Sequence, residues 1–159
     1  MKIGVISDTH LDAATPFLKE VVDRYFKDAR MILHAGDLTS PEVVEVFRGR
    51  EVHVVAGNCD RPASKRRFPT KKLIRVKGFR IGLTHGWGPP LWLDRRVASV
   101  FDDVDCLVFG HSHWAKNRLK RGILFFNPGA FKGGACSLWR RSIGILTINH
   151  NIRGEIIRL

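Results

Sequence analysis

Five short polar blocks, each set directly after a run of apolar residues, constrain this chain more than anything else in it. They are Asp8-Thr9-His10, Gly36-Asp37, Gly57-Asn58, His85-Gly86 and Gly110-His111-Ser112-His113. The runs before them, residues 3–6, 31–33, 52–55, 81–83 and 106–109, read as buried strands. Two carboxylates, one amide and four imidazoles are thus delivered from strand ends, where open α/β sheets build their sites. Seven such donors are about what two divalent metals need when one carboxylate is shared and positions stay open for water and substrate.

The segments between the runs fit a parallel sheet. Thr15 caps a helix with Pro16 at its first position, and Leu18, Val21, Val22, Tyr25, Phe26 and Ala29 recur at three- and four-residue spacing. A second short helix starts from Ser40 as cap and Pro41, burying Val43, Val44 and Phe47. With strands at 2–7, 31–34 and 51–56, the opening reads βαβαβ. Residues 61–72 are basic and punctuated by Pro62 and Pro69, which predicts a surface loop. Strands at 72–76 and 79–84 turn at Lys77-Gly78 as a hairpin, and 87–92, holding Gly88-Pro89-Pro90, is a loop. A helix at 94–101 precedes a strand at 105–109. The last third reads as antiparallel strands at 115–120, 123–126, 142–149 and 154–159.

Size and composition narrow the class. At 159 residues the expectation is one domain spanning 1–159, and 44% hydrophobic content supports a full core. No apolar run approaches the roughly 20 residues of a membrane span, and 3–6 is too short for a signal-peptide core, so the expected location is cytoplasmic. Cys59, Cys106 and Cys136 are odd in number and widely spaced, against a disulfide framework or a structural zinc. Cys106 reads as a core residue; Cys136 has no clear reading. Lysine and arginine total 27 against 15 acidic residues, a formal charge of +12 that favours anionic partners but names none.

Taken singly the blocks are weak. Gly36-Asp37 is a common turn pair, Asp8-Thr9-His10 is short, and only His111 and His113 at a two-residue spacing form a frequent metal clip. The conjunction of five in one structural context carries the reading. Two divalent ions offset by Asp8, Asp37 and one bridging hydroxide leave a cationic cluster, which attracts a phosphodiester anion and brings bridging water toward a neutral pKa. Such a centre would supply the nucleophile from bound water, so no protein nucleophile is expected. The donor types favour manganese first, then iron, nickel or zinc, and disfavour magnesium as the tight binder.

Ordered this way, the blocks resemble the calcineurin-like metallophosphoesterase superfamily, and within it the small bacterial and archaeal phosphodiesterases with a Gly57-Asn58-Cys59-Asp60 third block. The resemblance extends from Lys2 through Asn127-Pro128-Gly129 to the closing strands. It implies an α/β (α+β) fold, a four-layer α-β-β-α sandwich of two mixed sheets with metals at the strand ends. It also implies that Asp8, His10, Asp37 and His113 hold one metal. Asp37, Asn58, His85 and His111 would hold the other, with Asp37 bridging. Asp37, Asn58 and His85 are read as catalytic as well as metal-binding.

Cys59 stands where many members carry histidine, the position from which a leaving group can be protonated; a thiol lowered further by two cations is a poor donor there. Trp87 replaces a histidine common in close relatives, and Ala130 a serine. Cys59, Asp60, Arg61, Trp87 and Trp114 are the candidate substrate contacts, with Trp87, Trp92 and Trp114 as an aromatic wall. His34, His53 and His150 read as structural or solvated, His34 alone being near enough to Asp37 to support it from behind. The expected function is a dinuclear metal-dependent phosphodiesterase. Two alternatives stand beside it: a protein-interaction scaffold like the retromer subunit that shares this fold, and a nucleic-acid-binding or processing protein using the basic surface. A nucleotide-like diester, nucleic acid and a homo-oligomer partner stay open; a membrane partner is not expected.

Overall fold

The computed structural model describes residues 1–133 and 140–159, so Cys136 lies outside the described residues. Alternation along the first strand sets the layers. In β1 (Lys2–Ile6), Ile3 and Val5 join a core with Met31 and Leu33, whereas Ile6 packs with Ile32 in a second cluster. The first cluster fills the space between two sheets, because it also holds Ile81, Leu83, Val108 and Phe126 from the other sheet. The second lies under α1 (Pro16–Tyr25), through Leu18, Val21 and Val22. A third packs Leu93 and Val97 of α3 (Leu93–Ala98) on Leu107 and Phe125. Helix, sheet, sheet and helix follow in order, the expected four-layer sandwich.

One sheet has the order β10-β9-β1-β2-β3, with β2 at Ala29–His34, β3 at Glu51–Val54, β9 at Ser142–Ile148 and β10 at Ile152–Arg158. The other runs β4-β5-β6-β8-β7, with β4 at Lys71–Val76, β5 at Phe79–Thr84, β6 at Cys106–Val108, β7 at Lys116–Lys120 and β8 at Ile123–Asn127. β1, β2 and β3 are mutually parallel, as are β5, β6 and β8, so six C-terminal strand ends emerge on one side of the sandwich. No helix among the described residues is long and apolar enough to cross a membrane.

The α1 cap forms as expected, with Thr15 Oγ1 accepting from the Leu18 amide at 3.1 Å. Other expectations need correction. Residues 61–72 are not a loop throughout: Pro62–Arg67 is a helical turn and a half, α2, started by Pro62 at its first position. The second helix, Pro41–Phe47, winds as a 3-10 helix; the Ser40 hydroxyl goes to the Glu42 carboxylate instead of capping an amide. β3 stops at Val54, since the Ala56 amide turns to the Pro69 carbonyl at 2.8 Å. α3 stops at Ala98, three residues early. The closing strands are not purely antiparallel, since β8 lies parallel to β6, and β10 begins at Ile152 because 149–151 make a tight turn.

Candidate metal centre

The parallel strand ends bring the five blocks together, and their glycines let them touch. A Cβ on Gly57 would run into the Asp37 carboxylate and amide, and one on Gly110 into the Ser7 hydroxyl and the Asp8 carboxylate. Main-chain bonds tie the blocks: the Asp8 amide donates to the Gly36 carbonyl and the His10 amide to the Asp37 carbonyl, both at 3.0 Å, and the Gly110 amide to the His85 carbonyl at 3.1 Å. Asp8, His10, Asp37, His111 and His113 all have positive φ, between 47° and 67°. Left-handed backbone at non-glycine residues costs about 1–3 kcal/mol each and persists only where surrounding structure over-determines it. Here it lets both side chains of an i, i+2 pair serve one centre.

Asp8 is fully buried. Its Oδ2 accepts from the Ser7 hydroxyl at 2.5 Å and the His111 amide at 3.3 Å, whereas its Oδ1 has no hydrogen-bond partner. Facing that oxygen are His113 Nε2 at 3.2 Å and His10 Nε2 at 4.0 Å. Asp37 Oδ2 closes this group, 3.9 Å from His10 Nε2, and lies 3.3 Å from His85 Nε2 on its other side. Asp37 therefore sits between two donor clusters.

The second cluster is defined by tautomers. His85 Nδ1 is 2.7 Å from the Ala35 carbonyl, which can only accept, so the proton of the neutral ring is on Nδ1. Its Nε2 lone pair then points at Asn58 Oδ1, 3.2 Å away, and at Asp37 Oδ2. His111 Nε2 donates to the Gly88 carbonyl at 2.7 Å, leaving its Nδ1 lone pair 2.9 Å from Asn58 Oδ1. Burial by itself would lift Asp37, but the His85 contact and the Cys59 amide, 2.8 Å from Oδ1, hold its carboxyl well below the usual range. Burial would lower His85; in the protonated ring Nε2 donates to Asp37, which outweighs burial and leaves the imidazole raised, so a cation on this side takes the place of that proton.

Among the candidate substrate contacts, Cys59 is exposed at the cluster, its sulfur accepting from Asn58 Nδ2 at 3.1 Å. Its thiol is pushed up by burial and by Asp37, so the downward shift expected of it depends wholly on the charge of bound cations. Asp60 does not reach the cleft surface: its carboxylate is buried and accepts from the Thr39 and Gly57 amides, both at 2.7 Å. Arg61 turns to Asp12 at 2.9 Å. Trp87 is half exposed beside His85 in a cavity, and Trp92 and Trp114 are exposed. Sequence reasoning missed Ser7, the Ala35 and Gly88 carbonyls, and Asn127, whose side chain ties the Gly110 carbonyl at 2.8 Å and the Ser112 hydroxyl at 3.2 Å. His34 is buried behind Asp37, with Nδ1 accepting from the Gly36 amide at 3.2 Å and Nε2 3.1 Å from the Thr9 hydroxyl.

Divalent cations fit these residues. A buried carboxylate oxygen without a partner and lone pairs aimed at one another are arrangements a shared cation relieves. Donor atoms of Asp8, His10 and His113, of Asp8, Asp37 and His85, and of His10, Asp37 and Cys59 each lie within 4.8 Å of one another.

Fold and donors together define an α/β sandwich built around a metal site. The chain belongs to the calcineurin-like phosphoesterase superfamily, whose domain matches residues 1–151. It is 36% identical over 133 residues to a "probable metallophosphoesterase" of Methanothermobacter thermautotrophicus, covering 82% of this chain and 77% of that protein. A "probable metallophosphoesterase" of Methanocaldococcus jannaschii is 34% identical over 164 residues, 99% of this chain and 81% of the relative. The crystal structure of wild-type Vps29 complexed with zinc from Entamoeba histolytica superposes with a TM-score of 0.74 at 28% identity, covering 99% of each chain.

Proposed function

We propose that this chain is a metal-dependent phosphoester hydrolase with a dinuclear centre, acting on phosphodiesters in preference to monoesters. One ion would be held by Asp8, His10, Asp37 and His113 and the other by Asp37, Asn58, His85 and His111, within one domain covering 1–159. The observation that carries this reading is the convergence of His85 Nε2, His111 Nδ1 and Asn58 Oδ1 on one side of Asp37, with the orphaned Asp8 oxygen on the other. Manganese is the first choice, then iron, nickel or zinc. Free thiols at Cys59 and Cys106 suit a reducing, cytoplasmic setting.

Bound divalent ions supply Lewis acidity toward phosphoryl oxygens and acidify water at the centre. The protein's own work is to hold donors ready. The Ala35 and Gly88 carbonyls fix opposite tautomers of His85 and His111, so each presents a lone pair without reorganisation. The Cys59 amide, donating to Asp37 Oδ1 at 2.8 Å, favours the ionised carboxylate. Cys59, the exposed thiol at the mouth, is a poor acid for a leaving group, so strong leaving-group protonation is not expected of it. Diester preference is supported by the Gly57-Asn58-Cys59-Asp60 block, which resembles that of the small phosphodiesterases, and by an open cavity of about 480 Å³ beside Asn58 and His85, room for a second ester group.

A scaffold reading is favoured by the likeness to Vps29 and by exposed Leu91, Trp92 and Trp114. Metal-depleted protein reloaded with manganese, iron, nickel or zinc and assayed on bis(p-nitrophenyl) phosphate and p-nitrophenyl phosphate separates the two. The enzyme reading predicts metal-dependent turnover, faster on the diester. Inertness with every metal, together with failure to retain any, favours the scaffold.

A further inference from the structure

The cavity beside the metal centre is lined by groups of different chemistry. Its lining includes Gly57, Asn58 and His85 of the centre, the aromatic Trp87, and two cations, Lys65 from α2 and Lys71 from the start of β4. Lys65 Nζ donates to the Asn58 carbonyl at 2.8 Å, so its charge stands next to the donor cluster. Lys71 Nζ donates to the Val100 carbonyl at 3.2 Å and lies 6.0 Å from the Phe101 ring. Each ammonium is held by a neutral carbonyl, so its charge is left uncancelled and points to an anion. Arg61, from the same basic segment, is spent on Asp12.

The loop that carries Trp87 is prearranged. Arg96 clasps its loop through three carbonyls, those of Trp87 and Leu91 at 2.9 Å and that of Pro89. His111 fastens the same loop from the metal side through the Gly88 carbonyl at 2.7 Å. A loop fixed at both faces presents its aromatic ring at little entropic cost.

We propose that this cavity is a nucleotide subsite: it takes the nucleotide on one side of the scissile phosphodiester, with the base against Trp87 and the neighbouring phosphate on Lys65 and Lys71. This rests on the diesterase reading above and names its substrate class. A plain aryl ester would meet Trp87 and leave both ammonium groups unmatched, whereas a nucleotide supplies a flat π-face and a second anion one unit from the scissile phosphate. About 480 Å³ is within the range of small-molecule sites. Base stacking tolerates any sequence, so the preference expected is for class and charge, not for a particular base.

The test compares kcat/KM on a thymidine dinucleotide phosphorylated at both ends with kcat/KM on bis(p-nitrophenyl) phosphate, and takes the ratio. Trp87→Ala and Lys71→Ala should each lower that ratio about tenfold, the scale of one lost stacking or phosphate contact. Arg66→Ala, which removes the same charge from exposed α2 outside the cavity, should leave it within about twofold. Unchanged ratios in Trp87→Ala and Lys71→Ala, or an equal fall in Arg66→Ala, overturn the subsite while leaving the diesterase reading intact. If wild-type protein cleaves neither substrate with any metal, the diesterase reading falls, and calorimetric titration with thymidine 3′,5′-bisphosphate judges the cavity alone. Binding weakened about tenfold by Trp87→Ala and by Lys71→Ala supports the site; no binding to the wild type overturns it.

Discussion

His111 Nδ1 faces Asn58 Oδ1 at 2.9 Å, and a neutral ring that gives its one proton to the Gly88 carbonyl has none left for that contact. Two acceptors in contact are unfavourable without a cation, so the site trades stability of the empty protein for readiness to bind. Asn58→Ala should therefore leave the thermal midpoint of metal-free protein equal to or above wild type, while metal affinity drops by at least about tenfold. Calorimetry in chelator and metal titration check the two halves. A lower metal-free midpoint would mean that Asn58 stabilises the empty fold.

Cys59 holds Asp37 chiefly through its backbone amide, with the thiol adding a lesser contact. Cys59→Ala keeps that bond, so turnover of bis(p-nitrophenyl) phosphate should change by no more than about twofold, within the range of exposed substitutions. Cys59→His adds a donor nearer neutrality and should help substrates with poor leaving groups. Loss of several orders of magnitude in Cys59→Ala, metals retained, would make the thiol essential.

Gly57 is required by close approach. Alanine there meets the Asp37 carboxylate and amide, neither of which can move without disturbing both donor clusters. Overpacking of this kind costs about 1–3 kcal/mol, so Gly57→Ala should lower the thermal midpoint by several degrees and reduce metal affinity with it. A variant with normal metal binding would show that the Asp37 loop yields freely.

His34 gives the fold a pH signature. Burial pushes it down to about 4, against the opposing pull of Asp8, while the unfolded chain titrates near about 6.5. Between those values the unfolded state takes up the proton and the folded state does not. The neutral-histidine contribution is complete above about pH 6.5 and is lost as pH falls toward 4. From pH 7.5 to 5 this removes about 2 kcal/mol. Urea midpoints of metal-free wild type and His34→Gln at both pH values isolate it: the wild type should lose the larger share. Identical pH dependence in the two proteins would show that His34 does not titrate this way.

Much of this architecture is legible in the chain because periodicity is local. Thr15-Pro16 announced α1, Lys77-Gly78 announced the β4–β5 hairpin, and apolar runs ending in Gly, Asp or His located the strand ends. α2 was hidden because Pro62–Arg67 has no apolar stripe to read. The parallel pairing of β8 with β6 is non-local and leaves no signature in either strand. The left-handed backbone at Asp8, Asp37 and His111 was equally invisible, since these residues are not glycine. Tautomers were out of reach too: the carbonyl that fixes His85 belongs to Ala35, 50 residues away, and carbonyls carry no residue identity. Asp60 shows the opposite failure. Adjacency to Asn58 placed it in the cleft on paper, yet two backbone amides draw its carboxylate inward.

The central claim is that Asp37 is shared by two cations, and Asp37→Asn tests it most directly. The substitution preserves shape but removes the charge and one acceptor between the clusters. Elemental analysis after reconstitution with manganese, paired with diesterase kinetics on the same samples, is the measurement. About two ions per wild-type chain are expected, fewer than about one in Asp37→Asn, and a fall of about a thousandfold or more in kcat/KM. An Asp37→Asn protein that keeps two ions and near-wild-type diesterase activity would contradict it.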